Sequence, residues 1–142
     1  MKRVIKFRRP YFRYSDNKFE YFDYWGVDLQ IAKEVYVFKT PGSSSHHYGG
    51  DDQQFTGLSD KQGVEIYEGD IIKWDDQSNG KYWRFAVVEI NPDIQFNCSL
   101  ISCVEGCINS SKSIFHYGSF IYKDTHNYLT IIGNESENPE LL

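Results

Sequence analysis

The chain has 142 residues, 40% hydrophobic and 25% charged, with a formal net charge of −5. That suffices for one compact domain, or a small barrel with an extension, and is too little for two ordinary domains. No apolar stretch approaches the roughly 18 residues that a membrane span needs, and the Lys and Arg residues interrupting Met1 to Tyr14 are unlike a secretory leader, so a cytoplasmic protein with no membrane contact is expected.

The aromatic share is 17%, with 11 Tyr, 10 Phe and 3 Trp, and Gly, Asn and Asp punctuate the chain throughout. Aromatic and β-branched residues suit a pleated, half-buried surface, so an all-β fold is predicted. Ile5 and Phe7 alternate with Lys6 and Arg8, which predicts a first strand, and Pro10 should end or edge it because proline cannot donate to a ladder. Phe19 and Tyr21 alternate around Glu20, and Val35 to Phe38 is a further β-rich run. Leu29 to Lys33 could form a helical turn. From Thr40 to Asp52 the composition is that of a flexible surface loop and the clearest internal boundary, with an N-terminal β extension over 1–53 and a second region over 54–142.

Asp60-Lys61-Gln62-Gly63 suits a type I turn, with Asp first and Gly fourth. Ile66 and Tyr67 form a short apolar pair, and Glu68-Gly69-Asp70 turns the chain into a strand from Ile71 to Trp74. Asn79-Gly80 is a hairpin signal joining that strand to Tyr82 to Ile90, and Trp74 and Trp83 are expected to pair across it. Asn91-Pro92-Asp93 breaks the chain again. Ile94 to Cys98, Ile114 to Tyr122 and Tyr128 to Ile132 complete a set of short strands such as a small bent barrel requires.

Charge is distributed unevenly. Lys2, Arg3, Lys6, Arg8, Arg9 and Arg13 all precede the first acid, Asp16, leaving 9 basic residues against 20 acids, a net of −11. With Tyr11 and Phe12 interleaved, Lys6, Arg8, Arg9 and Arg13 have the ingredients of a single-stranded nucleic-acid site: cations for phosphates and rings for stacking bases. The competing and favoured reading is an edge strand with solvated charges on one face and rings in the core. Cys98, Cys103 and Cys107 are odd in number and closely spaced, which makes a poor disulfide framework, so reduced thiols are expected. No CxxC pair is present and His46, His47, His116 and His126 are scattered, so neither metal nor other cofactor is expected. Adjacent His46 and His47 read as solvated loop residues. Glu65, Glu68 and Asp70 could serve acid and base chemistry, but acids around a turn glycine more simply bind neighbouring amides.

Three motifs carry a family resemblance. Gln54-Phe55-Thr56-Gly57-Leu58 runs on through Asp60-Lys61 and Gly63 to Glu65-Ile66-Tyr67-Glu68-Gly69-Asp70-Ile71; Ile132-Gly133-Asn134 precedes Glu137-Asn138-Pro139-Glu140-Leu141-Leu142; Ile5-Lys6-Phe7-Arg8 is weaker. In this order they resemble the YopX family of phage and prophage proteins. The chain departs from that pattern at Arg9-Pro10, at Gln53 and at Glu135-Ser136, and the last departure implies a more loosely packed tail. The resemblance implies an all-β fold with an SH3-like small barrel in the second half, a mobile-element setting and no catalytic residues. The expectation is therefore a non-catalytic binding or assembly module that self-associates, with a phage or host protein as a further partner. A nucleic-acid-binding module is the alternative.

Overall fold

Alternating sequence becomes strand wherever a neighbouring ladder is there to receive it. The computed structural model of the chain describes residues 4–28, 36–39, 45–75, 83–91, 93–101, 114–116 and 128–142. Expectations for Leu29 to Lys33, Thr40 to Ser44, Asn79-Gly80, Pro92, Cys103, Cys107, His126, the leading Lys2 and Arg3, and the continuation of the Ile114 strand lie outside the described residues. Within them the chain is all-β, with two 3₁₀ turns at Cys98–Leu100 and Pro139–Leu141 and no α-helix. Thus no described helix is long and apolar enough to cross a membrane. The fold divides into two units, Met1–Phe55 and Thr56–Leu142.

In the first unit, β1 (Val4–Arg13) pairs antiparallel with β2 (Phe19–Asp28), and β2 pairs with β3 (Tyr36–Lys39). The other edge of β1 takes two partners in succession. Phe7 and Arg8 face Gln54 and Gln53 at the start of β5 (Gln53–Ser59), and Tyr11 to Arg13 face β4 (His47–Gly49). β1 is therefore an interior strand, which corrects the expectation that it forms an edge, whereas β2 meets β3 only over Gly26 to Asp28.

Pro10 lies inside β1 rather than at its end, where the partner changes. Its carbonyl accepts a hydrogen bond from the Gly50 N–H at 2.8 Å. Because the nitrogen and carbonyl of one strand residue point the same way, the ring nitrogen faces the β4–β5 connection, where no ladder donor is required. The second half of the expected Thr40 to Asp52 loop is a strand, since β1 offers β4 a ladder that composition does not reveal.

In the second unit, β5 continues to Ser59 and pairs with β6 (Glu65–Tyr67). A curled antiparallel sheet follows, of β7 (Asp70–Asp75), β8 (Trp83–Ile90), β9 (Ile94–Asn97), β10 (Ile114–His116) and β11 (Thr130–Asn134), in the order β10-β9-β8-β7-β11. Both faces of its central strands carry apolar side chains, as their near-continuous hydrophobic runs require. On one face Ile72, Trp74, Ala86, Val88, Phe96 and Cys98 pack with Ile66 and Leu129. On the other, Ile71, Phe85 and Val87 pack with Ile101, Trp83, Ile132 and Leu141. Trp74 sits opposite Arg84, and Trp83 opposite Asp75. The two tryptophans thus point to opposite faces and do not pair, because a one-residue offset reverses the side chain. Cys98 is a free thiol in the core and behaves as a small hydrophobe.

The second unit is pinned by its turns. Gly63 N–H bonds the Asp60 carbonyl at 3.0 Å, as the predicted type I turn requires. Asp60, 1% exposed, accepts from the Gln62 and Val64 amides at 2.9 Å through one oxygen and from the Ile131 amide at 3.1 Å through the other. Asp70 accepts from the Tyr67 amide at 2.8 Å, closing the turn that Gly69 makes at φ 82. Gly69 also accepts from the Glu135 amide at 2.8 Å. At the C-terminus Asn134 caps the amides of Ser136 and Glu137, while its own amide donates to the Asn138 side chain at 3.1 Å. A Cβ on Gly133 would run into Asn138, whose Cγ would lie at 2.9 Å. The motif residues of both halves converge on β11 and hold it against β7.

Candidate binding surface

The first unit is built differently, because its strands alternate aromatic and charged residues rather than aliphatic ones. On one face of the β1–β2 pair, Phe7 stacks on Trp25 with ring centroids 4.6 Å apart, and Tyr11 stacks on Tyr21 at 5.1 Å. Between the stacks Arg9 donates from Nε and Nη2 to both oxygens of Asp52, at 2.8 and 2.9 Å, and Trp25 Nε1 donates to the same carboxylate at 3.3 Å. The Arg9 bonds hold the Asp52 carboxyl below its usual range against the opposing effect of burial, with Trp25 adding to the depression. Desolvation first, then the neighbouring Tyr11, Asp23 and Glu20, pushes the Tyr21 phenol upward.

On the opposite face the rings form a continuous row. Tyr14 meets Tyr48 at 5.1 Å, Tyr48 meets Phe12 at 5.5 Å, Phe12 meets Phe19 at 6.2 Å, Phe19 meets Phe22 at 4.7 Å and Phe22 meets Tyr24 at 6.2 Å. The register accounts for the row: Phe12 lies opposite both Phe19 and Tyr48, Pro10 opposite Phe22 and Arg8 opposite Tyr24. Tyr14 is 63% exposed and Tyr24 45%, while Phe12, Phe19, Phe22 and Tyr48 are half-buried. Arg8 lies within this face, 5% exposed, its guanidinium 4.1 Å from the centre of the Phe22 ring and its Nε donating to Gln53 at 2.7 Å. Lys6 sits 5.3 Å over Phe55.

The residues singled out as nucleic-acid contacts are thus split between two faces. Lys6, Arg8 and Phe12 belong to the ring row; Arg9 and Tyr11 lie on the other face. Arg13 holds both oxygens of Asp16, at 3.1 and 2.7 Å, at the hairpin end. Tyr11 itself is 4% exposed, whereas Tyr21, stacked on it, is 39% exposed. His47 is not a solvated loop residue: it is part of β4, pairs with Glu20 and meets the Tyr21 ring edge-on at 5.3 Å. Tyr24 and Tyr48, which complete the row, went unremarked in the sequence. The alternation of Phe22 and Tyr24 was the available signal for one of them.

Among the described residues no three His, Cys, Asp or Glu side chains converge as metal ligands. Glu65, Glu68 and Asp70 do not assemble around a shared acid and base centre; Asp70 is buried and engaged in its turn. What the geometry presents is an antiparallel sheet bearing rings and cations. The chain matches the family described as YopX protein over residues 12–142, and it belongs to that family. The match begins after Ile5-Lys6-Phe7-Arg8, so of the arm residues only Phe12 and Arg13 fall within it. No curated protein matches the chain. It is similar to a solved structure, the crystal structure of protein EF1440 from Enterococcus faecalis, at 21% identity and a TM-score of 0.45 over 97% of each chain.

Proposed function

We propose that the chain is a non-catalytic binding and assembly module of a phage or integrated element, acting in the cytoplasm through the ring row of its first unit and associating with further copies of itself. The observation that carries this reading is the row from Tyr14 to Tyr24. Tyrosine supplies large, amphipathic contact area at low entropic cost, since it has two side-chain torsions and a hydroxyl that stays wet. Its scaffold is the β1–β2 ladder, with β1 flanked on its other side by β4 and β5, so the contact surface is ordered before binding. The SH3-like barrel inferred for the second half serves this reading as a framework. Static light scattering over a concentration series tests it: association is expected in the native chain and absent in Tyr14→Ser/Tyr24→Ser. A strict monomer at high concentration, or unchanged association in the variant, would contradict it.

A second reading, binding of single-stranded nucleic acid, is favoured by one feature, the placement of Lys6 and Arg8 on the same face as the rings. Bases would stack on the exposed tyrosines while Lys6 approaches phosphates. Against it, Arg8 is only 5% exposed and Arg9 lies on the opposite face, holding Asp52. An oligonucleotide titration at two salt concentrations separates the readings, because phosphate contacts weaken as salt rises.

A further inference from the structure

In the first unit, where the β1–β2 hairpin turn meets the start of β4, lies a cleft of about 440 Å³ bordered by Arg13, Tyr14, Ser15, Glu20, Ser45, His46 and His47. That volume falls in the range of small-molecule sites. Its walls are tied together by backbone bonds. Arg13 N–H donates to the Lys18 carbonyl at 3.0 Å, Asn17 N–H to the Arg13 carbonyl at 2.8 Å, and Tyr14 N–H to the His46 carbonyl at 3.2 Å. The Tyr48 hydroxyl donates to the Asn17 side chain at 3.0 Å, and Asn17 holds the left-handed turn at φ 58.

Glu20 borders this cleft and Asp16 lies beside it on Arg13, and each already has a side-chain partner. Asp16 takes Nε and Nη2 of Arg13, and Glu20 takes His47. A cationic ligand would share these carboxylates with Arg13 and His47, which already occupy part of their acceptor capacity. An oxyanion need displace nothing. With Asp16 on the Nε–Nη2 side, the Arg13 guanidinium retains its Nη1 protons and the second Nη2 proton, a fork that can donate to two further oxygens. The hydroxyls of Ser15 and Ser45 border the same space as donors.

We propose that this cleft is a site for a small oxyanion, a phosphate or carboxylate group held by the outer edge of Arg13 and by the Ser15 and Ser45 hydroxyls. It adjoins the ring row at Tyr14, which lines both, but its proposed ligand contacts lie on Arg13, Ser15 and Ser45. The ligand is recognised by charge and by hydrogen-bond geometry, and it adds to the Arg13–Asp16 pair instead of replacing it.

The test is titration of the full-length ¹⁵N-labelled chain with inorganic phosphate and, separately, with acetate at matched ionic strength, reading amide shifts at Ser15, Ser45 and His46. Saturable shifts are expected with at least one probe, and whichever binds more tightly assigns the group. Arg13→Gln should weaken binding at least tenfold. Asp16→Asn, which removes the neighbouring negative charge and keeps Arg13, should bind as tightly as the native chain or several-fold tighter, and its dispersed spectrum would show that the turn still folds. Shifts that fail to saturate with both probes, persist in Arg13→Gln, or vanish in Asp16→Asn would overturn the proposal.

Discussion

The two units put aromatic side chains to opposite uses. In Thr56–Leu142, Trp74 and Phe96 are sealed among Ile66, Ile72, Val88 and Leu129, each almost wholly removed from water. In Met1–Phe55 the rings lie side by side along a sheet surface, and Tyr11 is the one fully covered ring among the described residues. The first arrangement gains stability from burial, about 25 cal/mol per Å² of apolar surface. The second gains less from burial and leaves apolar area available for contact. The lesson is that aromatic content alone does not say whether a strand belongs to a core or to a recognition surface; its neighbours in register decide that.

The contrast can be broken most easily at its strongest point. Trp74→Ala should cost about 3–5 kcal/mol, the range for emptying a large core site, measured by urea denaturation. Asp60→Ala comes next, at about 2–4 kcal/mol, because it strands the amides of Gln62, Val64 and Ile131, which lose their acceptor in one step. Gly133→Ala should cost about 1–3 kcal/mol by overpacking against Asn138, and Asn138→Ala in the same chain should recover part of that loss.

Smaller effects belong to the first unit. The depressed Asp52 carboxyl contributes stability that is present above its unfolded value, about 3.9, and is lost as pH falls through the folded one. Arg9→Gln should therefore flatten the acid limb of a stability-against-pH curve below about pH 4 and change neutral stability by no more than about 1 kcal/mol, as for other exposed ion pairs. Tyr24→Ser should be smallest, within about 0.5 kcal/mol at the monomer level. If it cost as much as Trp74→Ala, the ring row would be core and the contrast would fail.

Local chemistry was legible in the sequence and distant partnership was not. The Asp60 turn and the Gly69-Asp70 turn could be read because each is closed by residues a few positions away. The second oxygen of Asp60 could not, since its partner Ile131 lies 71 residues further on. Strand β4 was hidden by its Gly and Ser composition, because its ladder is supplied by β1, and Pro10 misled because the change of partner beside it is a tertiary event. Arg9 looked available to phosphate until Asp52, 43 residues away, was placed on it. The family motifs around Asp60, Gly69 and Gly133 turn out to secure β11 against β7. They mark a framework, which explains why they pointed so clearly to a fold and so little to a function.

Hydrogen exchange by mass spectrometry, run on dilute and concentrated solutions of the native chain, tests this division of labour most directly. The slowest amides in dilute solution should lie in β7, β8 and β11, and raising the concentration should add protection in peptides spanning residues 9–24 and 45–50. Slowest exchange in β1 and β2, or concentration-dependent protection confined to the β7–β8–β11 sheet, would contradict the account.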